Sequence, residues 1–157
     1  MPDDLYRRDI LAWSEQQAAL LRRAAAGERV NDIDWPNIVE EIESVGRSEL
    51  RACESLLARA IDHLLKLHGW PGHAAADHWR AELRVFLRDA RAAFSPAMRQ
   101  QIDVTSLYRQ SRDLVSEMRL DGRPPVLFPT SCAITLDALL ADPPDVPMLL
   151  TAIGRPD

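Results

Sequence analysis

The chain reads as an all-α protein, a mostly antiparallel bundle of four to five helices with a Pro-rich C-terminal arm. Three observations predict it. Apolar residues recur every three or four positions from the N-terminus to about Arg119. The stretch from Ile33 to Gly69 sustains that period without a proline beyond its first turn. Seven of the eleven prolines lie between Pro124 and Pro156, where a long helix could not continue.

The first helix is expected from about Asp4 to Ala26, with Tyr6, Ile10, Trp13, Leu20, Leu21 and Ala24 on its apolar side and Gly27 ending it. Gln17 falls inside that stripe, where a buried amide needs hydrogen-bond partners or costs about 1–3 kcal/mol. A short polar connection, Glu28 to Ile33, then turns the chain back antiparallel. The second helix, Asp34 to His68, is the spine. Asp34 caps it, Pro36 occupies the first turn where a missing N–H costs nothing, and Gly69 followed by Pro71 stops it. Ile38, Ile42, Val45, Cys53, Leu56, Ala60, Leu64 and Leu67 share one side, which is expected to be buried. Gly46 interrupts this helix at a cost of about 1 kcal/mol relative to Ala, and marks either a close helix crossing or a kink.

After the turn His68 to Ala76, a third helix runs from about Ala75 to Phe94, with Trp79, Leu83, Phe86, Leu87, Ala90 and Phe94 inward. Ser95–Pro96 opens a short turn to about Ile102. A fourth helix starts at Asp103 or Thr105, reaches about Arg119 and ends at Asp121–Gly122. Residues 120–134 form an extended crossing, with Val126, Leu127 and Phe128 pinned to the bundle. Thr135 caps a last short helix. The domain is expected to span residues 1–142, leaving 143–157 as a Pro-rich tail whose apolar residues, Val146 to Ile153, could pack or self-associate.

A length of 157 residues suits one domain with a core of its own. An apolar fraction of 46% and a charged fraction of 27% are those of an ordinary soluble protein. The net charge of −5 argues against nucleic acid and against an anionic membrane as partners. Neither a membrane-spanning run nor a signal peptide is present, so the expected location is the cytoplasm of a bacterium. Cys53 and Cys132 are too few for a disulfide framework or a Cys-based zinc site. Among the 19 cationic residues only Lys66 is lysine, and guanidinium groups favour planar pairing with carboxylates.

The candidate functional residues are polar groups at apolar positions. Gln17 is one. Glu41 borders the apolar side of the spine, and Glu49 lies within it, where a carboxylate needs a cation, several donors or a metal. His63 is also inward, as a hydrogen-bonded core residue or a ligand. His63, His68, His73 and His78 fall within sixteen residues, yet their spacing of five does not stack imidazoles on one helix face, and no metal or cofactor is expected. Arg80, Arg84, Arg88 and Arg91 form a ladder on the third helix. It is expected to pair with the acidic cluster Glu40, Glu41 and Glu43, or to dock an anion or an acidic partner.

These residues also carry a resemblance. Tyr6-x-x-Asp9-x-x-x-Trp13-x-x-x-Gln17, then Asp34-Trp35-x-x-Ile38-x-Glu40-Glu41-Ile42-Glu43-x-x-Gly46-Arg47-Ser48-Glu49, then His63-Leu64-Leu65-Lys66, Trp79-Arg80 and Pro129-x-x-Cys132-x-x-Thr135-Leu136 resemble the bacterial domain-of-unknown-function family numbered 29. The resemblance covers about Leu5 to Asp142, and the acidic block through Glu49 is its specific part. Ala133 departs from it, standing where a proline is expected. It implies an all-helical fold and no assigned activity. Two functions follow from the residues: a non-catalytic interaction or regulatory module with a charged docking surface, or a small helical enzyme or metal-binding protein using Glu41, Glu49 and His63. Whether the chain is an enzyme stays open at this point, and so does a homodimer joined through the apolar tail.

Overall fold

The computed structural model describes residues 2–155 and, among them, seven α-helices, one 3-10 turn and no named strand. The elements are α1 (Pro2–Arg8), α2 (Ile10–Ala25), α3 (Trp35–Gly69), α4 (Ala76–Ala93), the 3-10 turn (Pro96–Met98), α5 (Val104–Ser116), α6 (Leu136–Leu140) and α7 (Val146–Ile153). The protein is all-α, and two compact units divide it, Met1–Ser48 and Glu49–Asp157.

In the first unit the expected single N-terminal helix is two. Asp9 interrupts it, because its side chain accepts a hydrogen bond from the Ala12 N–H at 3.0 Å and so caps a new helix rather than continuing the old one. Trp13 and Gln17 are the buried residues of α2, and the ring of Tyr6 meets Trp13 edge-on at 4.8 Å. Gly27, at φ +89°, supplies the left-handed turn that ends this hairpin arm. From α3 this unit buries Ile38, together with Asp34 just ahead of the helix.

The second unit holds the main core. Cys53, Leu57, Ala60, Ile61, Leu64 and Leu65 of α3 are fully buried with Leu83, Leu87 and Ala90 of α4 and Val115 of α5. Asp103 caps α5 by accepting from the Ser106 N–H, and Thr135 caps α6 by accepting from the Ala138 N–H. The segment after α5 is extended, but only part of it is pinned. Phe128 packs against the core, whereas the side chains of Val126 and Leu127 are exposed; Val126 is held through its backbone N–H, which donates to the Gly69 carbonyl at 2.9 Å. Residues after Pro143 form α7, begun by Asp145, which accepts from the Met148 N–H. Val146, Leu149 and Ile153 of this helix are buried in the core, and the Ala133 N–H donates to the Ala152 carbonyl at 2.8 Å.

Tyr108 anchors the extended segment. Its ring is buried, and its hydroxyl donates to the Pro129 carbonyl at 2.7 Å. Tyr108→Phe is expected to lower stability by about 1–2 kcal/mol, since it strips a buried carbonyl of a donor. Urea denaturation followed by circular dichroism checks this; a loss of under ~0.3 kcal/mol would show the bond to be unimportant.

Candidate interaction surface

In the first unit, polar side chains fasten α1 and α2 to the start of α3. Asp34 is the centre. One carboxylate oxygen accepts from the Trp13 indole N–H at 3.0 Å and from the Asn37 side-chain amide at 2.8 Å. The Asp34 backbone N–H in turn donates to Oε1 of Gln17 at 2.8 Å. The Asn37 amide, followed by the Trp13 indole and the Asn37 backbone N–H, holds the Asp34 carboxyl below its ordinary range against the opposing effect of burial. Farther along α3, Tyr6 donates its hydroxyl to Glu41 at 2.6 Å, and the carboxylate pushes the phenol up. Gln17 and Glu41 therefore act as structural clasps here, each with a defined partner.

The rest of this part of α3 carries an uncovered apolar stripe. Trp35, Val39, Ile42 and Gly46 recur at spacings of four, three and four, which places them on one helix face with Val45 beside them. Trp35 is 57% exposed, Val39 51%, Ile42 68% and Val45 65%. Ile42 and Val45 were expected inside. Periodicity identifies an apolar side but not whether another element covers it, and of the apolar residues in this part of α3, Ile38 is the one buried. These four side chains leave on the order of 500 Å² uncovered, the size at which an apolar patch marks an interaction surface. A Cβ built on Gly46 would meet nothing within 4 Å, so no neighbour in the chain requires glycine there. Flanking the stripe, Arg47 bonds Glu40 and reaches Glu43 at 3.5 Å, all three side chains being exposed.

The other candidate residues lie in the second unit. Glu49 is exposed, so the cation or metal that burial would have demanded is not needed. His63 is buried, with Nδ1 2.8 Å from the Arg59 carbonyl and Nε2 2.6 Å from a Glu82 carboxylate oxygen. The Arg59 carbonyl can only accept, so Nδ1 donates to it. The His63 bond holds the Glu82 carboxyl below its ordinary range, and the other Glu82 oxygen lies 3.3 Å from His78. Of the Arg ladder, Arg80 pairs with Asp77 and Arg88 with Asp89 on their own helix, Arg91 reaches the Ala141 carbonyl and Asp142, and Arg84 is exposed. The short local acids, rather than the cluster on α3, are the partners found. Among the described residues, no three His, Cys, Asp or Glu side chains are grouped to hold a metal ion, and no helix is long and apolar enough to cross a membrane.

Sequence reasoning missed Glu82, the partner of His63, although its position four residues after His78 on a helix was a visible signal. It also missed Asp62, whose Oδ1 is buried without a hydrogen-bond partner; burial pushes this carboxyl up, opposed first by the Ser111 hydroxyl.

A crystal structure of an α-helical protein of unknown function from Rhodospirillum rubrum superposes with a TM-score of 0.69 at 25% identity, over 96% of this chain and 98% of that one. No curated protein matches the chain. The family model described as "Domain of unknown function DUF29" matches residues 5–143, most of the length and the whole of the signature read above. The chain therefore belongs to the DUF29 family.

Proposed function

We propose that the protein is a non-catalytic, cytoplasmic interaction or regulatory module that engages a protein partner through the apolar stripe of α3. The observation that carries this reading is the exposure of Trp35, Val39, Ile42 and Val45 on a helix that buries Ile38, Cys53, Leu57, Ile61, Leu64 and Leu65. A helix face of this kind gains free energy only when something covers it, at ~25 cal/mol per Å² of apolar surface removed from water. The Arg ladder is a weaker docking surface, since Arg80, Arg88 and Arg91 already have partners on the chain. Both cysteines are free, in keeping with a reducing compartment.

Photo-cross-linking in the native host tests the reading. A photoreactive residue at Val39 is expected to yield a covalent adduct with a polypeptide, of this or another kind, at least several-fold more than the same residue at exposed Arg109. Equal adducts from both positions, or none from Val39, would overturn it.

A further inference from the structure

Resting on that reading, we infer that the occupant of the stripe is a second copy of this chain, with the two α3 helices crossing antiparallel near Ile42 and Gly46. Three features of the surface point there.

The first is Gly46. A glycine in a helix interior weakens the helix, and here, apart from the adjoining residues and backbone of its own helix, nothing comes within 4 Å of where its Cβ would be. A facing helix backbone, drawn close at a crossing, gives the missing side chain a purpose. The apolar positions beside it, Ile42 and Val45, then border the crossing point.

The second is charge. Along the flank of the stripe the acids Glu40 and Glu43 come first and the base Arg47 last. In two parallel copies related by a two-fold axis, this flank of each faces the opposite flank of the other, so the row meets no copy of itself. Two antiparallel copies set the Arg47 of each beside the Glu40 and Glu43 of the other. The row is thus self-complementary in one orientation, as a two-fold interface requires. Arg47 already pairs with Glu40 and Glu43 of its own chain, all exposed, so exchanging these bonds for intermolecular ones costs little.

The third is area. The stripe exposes on the order of 500 Å² per copy, so two copies together bury on the order of 1,000 Å², the threshold for a specific interface. Exposed Ile10 and Leu11 of α2, in the same unit, are available to extend it. An interface near that threshold is expected to dissociate at micromolar concentrations rather than to be permanent.

Sedimentation equilibrium on the purified full chain, over a hundredfold concentration range, is the experiment. The expected result is a monomer–dimer equilibrium. Ile42→Glu is expected to weaken it at least a hundredfold while leaving the thermal melt of the monomer unchanged, because the side chain it replaces is exposed. Gly46→Ala gives an independent arm. Nothing in the monomer opposes the added methyl, so folding is undisturbed or improved, while the close crossing is lost and the dimer weakens at least tenfold. For orientation, a nitroxide at Asp32, in a chain with Cys132→Ser, is expected to report a separation of more than about 25 Å between copies, because Asp32 precedes α3 and Trp35, its first residue, lies about nine residues from the crossing at ~1.5 Å per residue. A separation below about 20 Å would overturn the antiparallel crossing. A monomer at every concentration, or a dimer indifferent to both Ile42→Glu and Gly46→Ala, would overturn the second copy as occupant. If a Val39 adduct with a different protein were found alongside that monomer, the interaction reading would stand and this inference would fall.

Discussion

Asp34→Ala is expected to destabilise the protein by about 3 kcal/mol, more than any single polar substitution elsewhere in the first unit. The side chain caps α3 through the Asn37 backbone N–H, and loss of an N-cap costs about 1 kcal/mol. It also accepts from the Trp13 indole, which is buried and would be left without its acceptor at a further cost of about 1–3 kcal/mol. Asp34→Asn keeps an N-cap oxygen and is expected to lose about half as much. The effect depends on pH with a definite sign. The folded state holds the Asp34 carboxyl below its ordinary value of 3.8, so its contribution is complete above about pH 4 and is lost as pH falls through the depressed value. The gap between wild type and Asp34→Ala should therefore narrow in acid. Urea denaturation at pH 7 and pH 3, with amide hydrogen exchange over residues 10–25 to localise the change, measures both. A loss under ~1 kcal/mol at pH 7 would show that the cluster around Asp34 is dispensable.

Gly69→Ala is expected to cost about 1–2 kcal/mol net, against the ~1 kcal/mol gain that helix propensity alone would give. A Cβ at this position would lie 2.9 Å from Cζ of Phe128 and 2.9 Å from Cβ of Pro125. Neither neighbour yields easily. Pro125 is a ring on the backbone, and the Val126 N–H donates to the Gly69 carbonyl, holding the extended segment against the end of α3. Phe128 packs on the core and cannot swing away without opening it. Forced overpacking of this kind costs about 1–3 kcal/mol, two close contacts place this site toward the upper end, and the propensity gain of ~1 kcal/mol offsets part of it. Phe128→Leu removes the ring atom in the way and should recover part of the loss in the double variant, which separates steric clash from a general intolerance of this site. Thermal denaturation is sufficient; a Gly69→Ala protein as stable as wild type would mean that the extended segment shifts freely. Gly46→Ala makes the internal comparison, since there the added methyl meets no neighbour.

The spine was legible because its ends are written in local chemistry. Asp34, Pro36 and Gly69 each act where the chain starts or stops a helix, and α3 begins and ends within one residue of the expected limits. Asp103 and Thr135 marked helix starts for the same reason. Asp9 was passed over because the apolar period runs through it from Tyr6 to Trp13, and a cap inside a periodic stretch has no signature of its own. What covers a face is a tertiary fact. Ile42, Val45 and Glu49 sit in the same periodic series as Cys53 and Leu64, yet the first three are exposed and the last two fully buried. The same limit hid the partner of Gln17, which is a backbone N–H seventeen residues away, and the partner of Glu41, which is a tyrosine. The short helix α7 was within reach: Asp145 followed by Val146 and Pro147 is a cap with proline in the first turn.

The near-absence of lysine gives the fold an asymmetric titration curve. Guanidinium groups stay charged at any pH a protein survives, so the cation in Arg91–Asp142, Arg99–Asp137 and Arg112–Asp113 does not switch off in base. In acid the carboxylates held low, Asp34 and Glu82, give way. In base a phenol gives way. The Tyr6 hydroxyl, raised above its ordinary 10.0 by the bond it donates to Glu41, supports folding fully below that value and stops doing so as pH climbs through the raised one. The acid end of the pH range is thus guarded by carboxylates in both units, and at the basic end a tyrosine of the N-terminal arm gives way.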